Sequence, residues 1–466
     1  MDGLECSEIS KFKLEFSGRI DAEYYQKKYL QYQNAIEKHR ILPLSKIADF
    51  LIGPFGSAYD TGTYVEQSDY RYIRGQDIKP FFLQDSFPKY MAENDYNRLS
   101  KYALAPNDIL VSVVGTLGNA SIIQGHELPA IFSCKSTAIK AKSVNPFYLL
   151  CYLNSKYGKS LLCRKERGAI QKGLNLDDLK TLDIPLFSDA LSKNTELLII
   201  KALDSISLAK QVYSEAEMQI ETIFNSAIAA PSTNNSIKTL GESFLQSGRL
   251  DAEYYQPKYD EYASIIGHFN GGSSLIRTEF SQVKKICDRK LSSYKYVEIG
   301  DVNVSYGVAT ANEVATPDLP DNAKIMTKKD DLIISTVRPN RGAVALLEDD
   351  NLLVSGAFTV LREKGTCKKE VLQVLLRLPF YRDWLLRYNV GTSYPVIKDS
   401  DILNMPIPLF DKETQNGIAQ KVKESSDLRN QSRQLLEYAK QAVEIAIEQG
   451  EGVALKWLKD KIPVEV

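Results

Sequence analysis

The sequence predicts an α+β fold in which two mixed α/β domains are related by internal duplication, with long antiparallel coiled-coil helices separating and following them. Three observations support this prediction. A stretch of thirteen residues occurs twice, from Ser17 to Tyr29 and from Ser247 to Tyr259, with differences at only two positions. Each copy is followed by short apolar runs separated by Gly, Pro and Asn, a pattern typical of strands. After each set of runs comes a long stretch with apolar residues alternately three and four apart.

The repeated stretch contains the motif Arg-x-Asp-Ala-Glu-Tyr-Tyr, and its copies differ only at Ile20/Leu250 and Lys27/Pro257. Agreement at so many polar and aromatic positions exceeds what shared secondary-structure preference produces, so the chain is predicted to be a duplication of one large unit. Proline fits the first turn of a helix but clashes inside one. Helices should therefore begin near Lys27 and near Pro257, and the motif before them should be irregular or extended.

Tyrosines recur at helical spacing beyond both predicted helix starts. They are Tyr29 and Tyr32 with Ile36, and Tyr259 and Tyr262 with Ile266. In one interpretation the rings are buried within each half and their hydroxyls bond locally. In the other they form a docking surface for another subunit. The candidate docking residues in the motif are Arg19, Asp21, Tyr24 and Tyr25 in the first copy and Arg249, Asp251, Tyr254 and Tyr255 in the second.

Length and composition indicate a globular protein with at least two domains. The chain has 466 residues, of which 44% are apolar and 25% charged, and no apolar run approaches membrane-spanning length. Asp2, Glu5 and Glu8 near the N-terminus are unlike a secretory signal, so a cytoplasmic location without membrane contact is expected. A net charge of −1 argues against a uniformly basic surface but leaves room for local basic patches.

The landmarks divide the chain into six segments. Residues 1–42 hold the first motif copy and its helix, 43–190 the first domain, and 191–235 a long central helix. Residues 236–270 hold the second copy and its helix, 271–411 the second domain, and 412–466 a C-terminal long helix. Strands are predicted at 47–52, 70–74, 108–114, 120–123 and 132–139, and Asn145-Pro146 is predicted to cap a helix. The apolar seams of the long helices run over 195–230 and 412–449.

The sequence lacks the motifs of several enzyme classes. No phosphate-binding loop, His-Glu-x-x-His zinc motif or Gly-x-Ser-x-Gly nucleophile elbow occurs. Pro317-Asp318 resembles the start of a nuclease motif, but no acid-x-Lys follows it in that domain. Residues 145–148 imperfectly resemble the Asn-Pro-Pro-Tyr motif of adenine methyltransferases, and a helix cap explains them better. The six cysteines form no Cys-x-x-Cys pair and the three histidines lie far from them and from each other, so neither a zinc site nor a disulfide framework is predicted.

Polar and basic loop residues point instead to recognition of nucleic acid, because their side chains contact phosphates and base edges. In the first domain the candidates are Arg71, Arg74 and Gln76, beside Lys79, and Arg164, Lys165, Arg167, Gln171 and Lys172. In the second they are Arg289, Lys290, Ser293, Tyr294 and Lys295, Arg338, Asn340 and Arg341, and Thr392, Ser393 and Tyr394. For any one of these residues a solvated surface loop is the competing interpretation.

The duplicated motif, the two mixed domains that each end in Ile-Pro-Leu-Phe, and the long helix after each together resemble the specificity subunits of type I restriction-modification systems. The resemblance covers nearly the whole chain. The Gly53-Pro54-Phe55-Gly56-Ser57 loop is similar to a family loop early in the recognition domain, which adds Ser57 to the candidate DNA contacts. The second half has no close copy of that loop.

The resemblance implies that each domain reads one half of a split sequence in double-stranded DNA, and that the helices pair as a ruler between the halves. It implies docking of two modification subunits, which hold S-adenosylmethionine and methylate adenine after flipping it. Two restriction subunits that use ATP and Mg²⁺ are optional further partners. The chain itself would need no cofactor and catalyse nothing. The alternative is a duplicated protein-interaction scaffold that does not contact DNA.

Overall fold

The computed structural model describes residues 5–84, 87–168, 172–224 and 235–461. The chain forms two compact units: Met1–Ser205 with Asn430–Val466, and Ile206–Arg429. The helices and strands up to the first long helix are α1 (Lys11–Ser17), α2 (Lys27–Ile36), β1 (Ile41–Pro43), β2 (Ala48–Ile52), β3 (Arg71–Ile73), β4 (Lys89–Tyr90), α3 (Glu93–Arg98), β5 (Ile109–Ser112), β6 (Ala120–Ile122), β7 (Ala130–Phe132), β8 (Ser136–Ala141), α4 (Pro146–Asn154), α5 (Lys156–Cys163), α6 (Leu176–Lys180), β9 (Asp183–Pro185) and α7 (Asp189–Phe224).

The remaining elements complete the second unit and return to the first. They are α8 (Phe244–Ser247), α9 (Pro257–Gly267), β10 (Ser273–Leu275), α10 (Ile276–Glu279), β11 (Phe280–Gln282), β12 (Ser293–Val297), β13 (Val302–Asn303), β14 (Val308–Ala309), β15 (Asn312–Ala315), β16 (Ala323–Met326), β17 (Leu332–Ser335), β18 (Val344–Leu346), β19 (Leu353–Ser355), β20 (Phe358–Glu363), α11 (Lys369–Arg377), α12 (Pro379–Leu386), α13 (Asp399–Leu403), β21 (Pro406–Pro408), α14 (Lys412–Gln449) and α15 (Glu451–Lys461). This mixture of sheets and long helices confirms the predicted α+β class.

The strand order of the first unit recurs in the second. In the first, β2-β8-β5-β6 form an antiparallel sheet, β4-β3-β7 a second sheet, and β1 pairs with β9. In the second, β11-β20-β17-β18 repeat the first order within a six-stranded sheet, β15-β12-β19 repeat the second, and β10 pairs with β21. The pairs β3–β7 and β12–β19 are both parallel. This match supports the predicted duplication beyond the repeated motif.

Both helices after the motif begin where proline chemistry predicts. Helix α2 starts at Lys27 and α9 at Pro257. The residue before each start is a glutamine whose ψ lies in the extended range, so the helical backbone begins after it. The first motif copy forms a short 3-10 turn at Ala22–Tyr25, which agrees with the predicted irregular backbone. Each helix then buries its isoleucine, Ile36 or Ile266, in the main core of its own unit.

Burial of apolar side chains on α4, α5 and the neighbouring sheet forms the main core of the first unit. Seven of the nine residues of α4, from Phe147 to Leu153, are apolar and buried there. The second unit repeats this arrangement with α11 and α12, in which Trp384 and Tyr381 are fully buried. These cores hold the loops at the ends of the strands in fixed positions.

The two long helices contribute residues to both units. The second-unit segments of α7 and α14 run antiparallel, since Lys421 pairs with Glu215 at 3.0 Å while Ser425 Oγ donates to the Ala209 carbonyl at 2.7 Å. In the first unit Ser432 Oγ donates to the Ala202 carbonyl at 2.7 Å. All nine predicted seam positions of α14 are buried: Ile418, Val422, Ser425, Arg429, Ser432, Leu436, Ala439, Val443 and Ala446.

Three details of the long helices differ from expectation. Helix α7 begins at Asp189 rather than 195, and Phe224 replaces the exposed Ile223 in its seam, because the step after Ile220 is four residues rather than three. Its predicted end at 225–230 lies outside the described residues. The predicted C-terminal helix divides at Gly450, whose φ of +96° ends α14 before α15.

The run predicted as one strand at 132–139 forms parts of two strands. β7 pairs with β3 in one sheet, and β8 pairs with β2 and β5 in the other. The turn between them is closed by a hydrogen bond from Ser136 N to the Ser133 carbonyl. The residue pattern does not reveal this change of sheet, because both strands are buried and neither shows a polar face.

The predicted cap of α4 is confirmed, and it allows a stability test. Asn145 Oδ1 accepts hydrogen bonds from Phe147 N at 2.9 Å and Tyr148 N at 3.2 Å. Asn145→Ala is expected to lower the free energy of unfolding by about 1 kcal/mol, the usual cost of losing such a cap. Urea denaturation measures this loss. Asn97→Ala, at an exposed position of α3, is the matched control and should change stability by less than about 0.5 kcal/mol. Equal effects in the two variants would contradict a stabilising role for the cap.

Candidate nucleic-acid interface

One sheet of each unit contains a pair of parallel strands. A one-turn 3-10 helix follows an inner strand of that sheet. In the first unit β3 leads into Gly75–Asp77, where Asp77 Oδ2 accepts a hydrogen bond from Arg74 N at 2.8 Å. Gln76 lies at the outer tip of this turn with its side chain exposed. The aspartate fixes the backbone, so it holds the tip in place without constraining the side chain there.

The second unit has the same turn with different residues. Strand β12 leads into Ile299–Asp301, where Asp301 Oδ2 accepts from Glu298 N at 2.9 Å. Glu298 occupies the position of the first unit's arginine, and Gly300 the position of its exposed glutamine. The two units therefore share a rigid backbone turn but present different chemical groups.

A second loop follows the strands β5 and β17. In the first unit Val114 forms a bridge with Gly173, and in the second Val337 forms a bridge with Val396. Each loop is thus fixed against the segment that follows α5 or α12. Left-handed backbone occurs in both loops, at Gly115 in the first and at Arg338 in the second. Arginine adopts that conformation at a cost, which the surrounding hydrogen bonds must offset.

The two loops of the first unit surround a cavity of about 480 Å³. Tyr64 and Tyr72 supply aromatic walls, with 5.7 Å between their ring centroids. Ser133 Oγ is buried and has no hydrogen-bond partner among the described residues. Polar or basic groups complete the lining: Arg74, Gln76, Lys79, Thr116 and Lys135. The site combines aromatic surface, amide and hydroxyl groups, and exposed lysines.

In the second unit the loop after β17 meets the loop near 394. The Arg338 guanidinium lies 5.2 Å from the centroid of the Tyr394 ring, and Arg338 N donates to the Pro395 carbonyl at 2.7 Å. The structure thus brings together two of the stretches selected from the sequence. Asn340, Arg341, Thr392 and Ser393 are all exposed around this pair. A stacked arginine keeps its donors oriented outward in a defined plane.

Two of the candidates for DNA contact are buried, which disfavours that role for them. Arg71 is 9% exposed, pairs with Glu127 at 3.4 Å and donates to the Gln84 carbonyl at 3.3 Å. Tyr294 is 5% exposed and belongs to a small core of the second unit. Both side chains are instead accounted for by contacts within their own unit.

Three further arginines are engaged within their own units. Arg74 makes two hydrogen bonds to the Asp77 carboxylate, at 2.7 and 3.0 Å, and so reinforces the turn. Arg289 donates to the carbonyls of Pro320 and Ala323. Arg164 stacks over a motif tyrosine, as described below. Their sequence context predicted exposed cations, but these guanidinium groups have structural partners.

The remaining candidates lie at or near the surface. Burial lowers the pKa of Lys165 to about 8, and its ammonium donates to Thr181 Oγ1. Local partners also exist for Arg167 (Asp178), Lys172 (Glu166), Lys290 (Asp288), Ser293 (Glu313) and Lys295 (Asp349). Ser57 is exposed in its loop, and Gln171 lies outside the described residues. Exposed ion pairs of this kind are weak enough for a polyanion to replace them.

The motif forms a closed set of contacts in the first unit. Arg19 pairs with Asp21 at 2.5 Å, and Ser17 Oγ and Tyr25 OH lie 2.5 Å apart. Arg19 Nη2 also donates to the Glu166 carbonyl at 3.3 Å. The Arg19 guanidinium holds the pKa of Asp21 below its ordinary value. The motif therefore fastens α1 and α2 to the end of α5.

Cation–π contacts complete this attachment. The Arg164 guanidinium lies 4.0 Å from the centroid of the Tyr24 ring, and its Nε donates to the Tyr24 carbonyl. In the second unit Arg387 lies 4.6 Å from the ring of Tyr254. Both arginines follow directly after the last residue of α5 or α12. The duplication therefore extends to the arginine that holds each motif.

The second motif copy repeats the contacts of the first. Arg249 pairs with Asp251 at 2.6 Å and donates to the Asn389 carbonyl at 2.9 Å. Ser247 Oγ and Tyr255 OH again lie 2.5 Å apart. These internal bonds favour the local interpretation of the motif's polar groups, and docking by the same residues stays a prediction.

The tyrosine faces of α2 and α9 also pack inside their own units. The ring of Tyr32 lies 4.9 Å from that of Tyr157, and Tyr262 lies 5.9 Å from Trp384. Between the arginine and aspartate of each motif, however, a large aliphatic side chain is exposed: Ile20 at 91% and Leu250 at 70%. The sequence does not single out this position as a docking candidate, because it is one of the two positions at which the motif copies differ.

Several groups in the first unit's cavity were also missed from the sequence. Thr116 lies in the loop after β5, whereas Ser133 and Lys135 lie in the connection between β7 and β8, and no spacing pattern links the two segments. Their positions follow from the change of sheet between β7 and β8. The sequence feature closest to these residues is the Gly-Thr-Leu-Gly stretch after β5. It predicts a loop but does not indicate which side chains line the cavity beside that loop.

Two features are absent from the described ranges. No group of three or more His, Cys, Asp or Glu side chains there is arranged to hold a metal ion. Among the helices described, none combines the length and apolar character needed to span a bilayer.

Comparison with known proteins gives similarity to solved structures alone, since no family model and no curated protein matches the chain. A type I restriction-modification S subunit from M. genitalium is 13% identical with a TM-score of 0.40, covering 88% of this chain and 95% of that one. An HsdS subunit from Thermoanaerobacter tengcongensis is 13% identical with a TM-score of 0.30, covering 88% and 97%. A chain from a type I R-M system structure is 14% identical with a TM-score of 0.27, covering 90% and 97%. At these identities the function has to be inferred from the chain's own residues.

Proposed function

We propose that this chain is the DNA-specificity subunit of a type I restriction-modification complex, in which each unit reads one half of a bipartite site. One observation carries the proposal: the two units share one frame and one pair of rigid loops, yet present different polar side chains on them. Two copies of one fold that carry different loops are suited to recognising two different DNA sequences in a similar way. The resemblance carried by the Arg-x-Asp-Ala-Glu-Tyr-Tyr copies supports the same function.

In the first unit the reading site is proposed to be the cavity beside Gln76. A glutamine side chain forms two hydrogen bonds with the edge of adenine, and hydroxyl groups such as that of Thr116 accept or donate to several bases. Lys79 and Lys135 at the rim suit the phosphates on either side. The aspartate-capped turn holds the glutamine at a fixed position, as selective base recognition requires.

In the second unit the reader is proposed to be Arg338 with its neighbours on the same loop. Arginine forms two hydrogen bonds with the major-groove edge of guanine. Stacking on Tyr394 orders the guanidinium before binding, so less side-chain entropy is lost on forming the complex. Thr392 and Ser393 extend the polar surface on the other side of the tyrosine.

Binding measurements with duplex DNA test this function directly. The chain together with its modification partner should bind DNA with an affinity that falls steeply with salt, because phosphate contacts release counterions. Mapping methylated adenines in cells with and without the gene would identify the bipartite sequence. An interaction scaffold would show neither salt-dependent DNA binding nor a change in methylation.

Alanine substitution of the readers should give base-specific effects. Arg338→Ala is expected to weaken binding by about 1 to 3 kcal/mol and to relax preference at one position of the second half-site. Gln76→Ala should do the same in the first half-site. Lys135→Ala is the matched control, because loss of a phosphate contact weakens binding to all sequences alike. Equilibrium binding to a panel of single-base variants measures both effects. Unchanged affinity and preference in Arg338→Ala would remove that loop from the interface.

The exposed aliphatic residues of the two motifs are proposed to dock two modification subunits. Each lies in the same frame, between a paired arginine and aspartate, so one partner surface fits both copies. Ile20→Asp or Leu250→Asp alone should reduce the complex from two modification subunits to one, and the double variant should bind none. Native mass spectrometry counts the subunits. Ile237→Asp, at a 96% exposed position outside the motif, is the control and should leave the count at two. Two bound subunits in the double variant would contradict this assignment.

A further inference from the structure

A second cavity, of about 370 Å³, lies within the second unit. It is enclosed by the second-unit part of α7, the start of α12 and the end of the loop after β17. Most of its lining is polar, with hydroxyl groups from Tyr213, Ser214 and Ser305 and charges from both acidic and basic side chains. A cavity with such a lining is an unusual feature beside a well-packed apolar core.

Arg377 is the central group of this cavity and is 7% exposed. Its Nη2 donates to the Ser305 carbonyl at 3.0 Å and pairs with Glu217 at 3.5 Å. Its Nε and Nη1 have no hydrogen-bond partner among the described residues. An arginine does not lose its proton, so these buried donors carry a free-energy cost until something accepts their hydrogen bonds.

A further unsatisfied donor lines the same cavity. Arg382 Nε is buried and has no hydrogen-bond partner in the part of the chain described, whereas Tyr213 is engaged by Arg377, whose guanidinium lies 4.9 Å from the centroid of its ring. Burial and the neighbouring Arg377 both lower the pKa of Arg382. The guanidinium nevertheless stays charged at neutral pH. A ligand with several acceptor atoms would satisfy these groups together.

The charge balance of the cavity favours an anion. Lys210, Arg377 and Arg382 supply three positive charges against the carboxylates of Glu217 and Glu221. Burial raises the pKa of Glu217, and the neighbouring Arg377 opposes this shift. The start of α12 adds the positive end of a helix dipole.

At the equivalent place in the first unit the side-chain donors have partners within the chain, and the one buried group without a partner among the described residues is an acceptor, Asn154 Oδ1. Asn154 ends α4 as Arg377 ends α11, and Lys159 is the fourth residue of α5 as Arg382 is of α12. Asn154 Nδ2 donates to the carbonyls of Ala120 and Leu150, and Lys159 donates to Asn119 Oδ1 at 2.8 Å. The second unit therefore differs from the first at this place, because a positively charged side chain, Arg377, replaces a neutral one and lines a cavity.

We propose that this cavity binds a phosphate-type oxyanion, whose oxygens accept hydrogen bonds from Arg377 and Arg382. The site stands on the geometry of the second unit alone and holds whether or not the proposed DNA function does. The oxyanion has two possible sources: a free or nucleotide phosphate, and a backbone phosphate of DNA. Both present at least two charged non-bridging oxygens on one phosphorus, and guanidinium groups bind such pairs with charge-assisted hydrogen bonds.

Calorimetric titration of the full chain with inorganic phosphate tests the proposal, with chloride at equal ionic strength as the reference. We expect saturable binding to one site, and about tenfold or more weaker binding for Arg382→Gln. Lys159→Gln removes the equivalent cation of the first unit and should bind phosphate as the unaltered chain does. Circular dichroism checks that both variants fold. A second substitution, Arg377→Asn, introduces the first unit's residue and should abolish binding.

A competition arm separates the two sources. If DNA supplies the phosphate, inorganic phosphate should compete with duplex DNA beyond the effect of ionic strength, and Arg382→Gln should reduce the salt slope of DNA binding by about one. If the source is a free phosphate, DNA binding should be unchanged in Arg382→Gln while phosphate binding is weakened. No saturable phosphate binding to the folded chain, or equal affinity in Arg382→Gln, would overturn the proposal.

Discussion

Replacing residues 43–190 with the corresponding domain of a related specificity subunit is expected to change one half of the methylated DNA sequence completely. The other half and the spacer should stay the same. The physical reason is that the first unit's loops are supported by their own sheets and their own core, which shares no residue with the cores of the second unit. A domain whose DNA-reading loops are supported by its own core should keep its sequence specificity when it is moved into another subunit.

Methylation mapping in cells that express the hybrid with its modification partner gives the result directly. The reciprocal hybrid, with residues 271–411 replaced, is the matched control and should change the opposite half. A hybrid in which both halves change would mean that the two units read DNA cooperatively. One in which neither changes would place recognition outside these domains.

The sequence was sufficient to predict the frame because its signals are local. Pro257 marks a helix start, Asn145-Pro146 marks a cap, and the seam of α14 repeats at helical spacing over its whole length. Each of these signals acts through backbone geometry within one or two turns. The strand order could not be read in the same way, since it depends on pairing between distant segments.

The functional side chains were less predictable because burial, rather than residue type, decides their role. Arg71 and Gln76 lie within six residues of each other, yet the first is covered by Glu127 and the second is exposed. Strand alternation would place Arg71 on a surface, but β3 is buried along its whole length. In the same way Tyr294 packs into a small core while Tyr394 lies beneath an exposed arginine. Only the fold distinguishes members of each pair.

Lengthening α7 and α14 together is expected to change the length of the spacer between the DNA half-sites, because we expect these two helices to set that distance. Their seams are made mainly of apolar side chains, and α14 adds Arg429 and two serines, Ser425 and Ser432, that donate hydrogen bonds to carbonyls of α7. Matched insertions of seven residues, after Ser205 in α7 and after Arg429 in α14, keep this pattern in phase because seven residues complete two turns of a coiled coil. The helices would each lengthen by about 10 Å at about 1.5 Å per residue.

A base pair advances about 3.4 Å along the duplex, so this insertion is expected to lengthen the unspecified spacer by up to about three base pairs. Oblique crossing of the DNA by the helices would reduce the increase. The bases read in each half should not change, because the insertion leaves both sets of reading loops intact. Genome-wide methylation mapping reports the spacer and the half-sites in one measurement. Seven residues inserted between Asp349 and Asp350, in an exposed loop, are the control and should leave the spacer unaltered. An active enzyme with lengthened helices and its original spacer would show that the helices do not set the distance, whereas altered half-site bases would make them part of the reader.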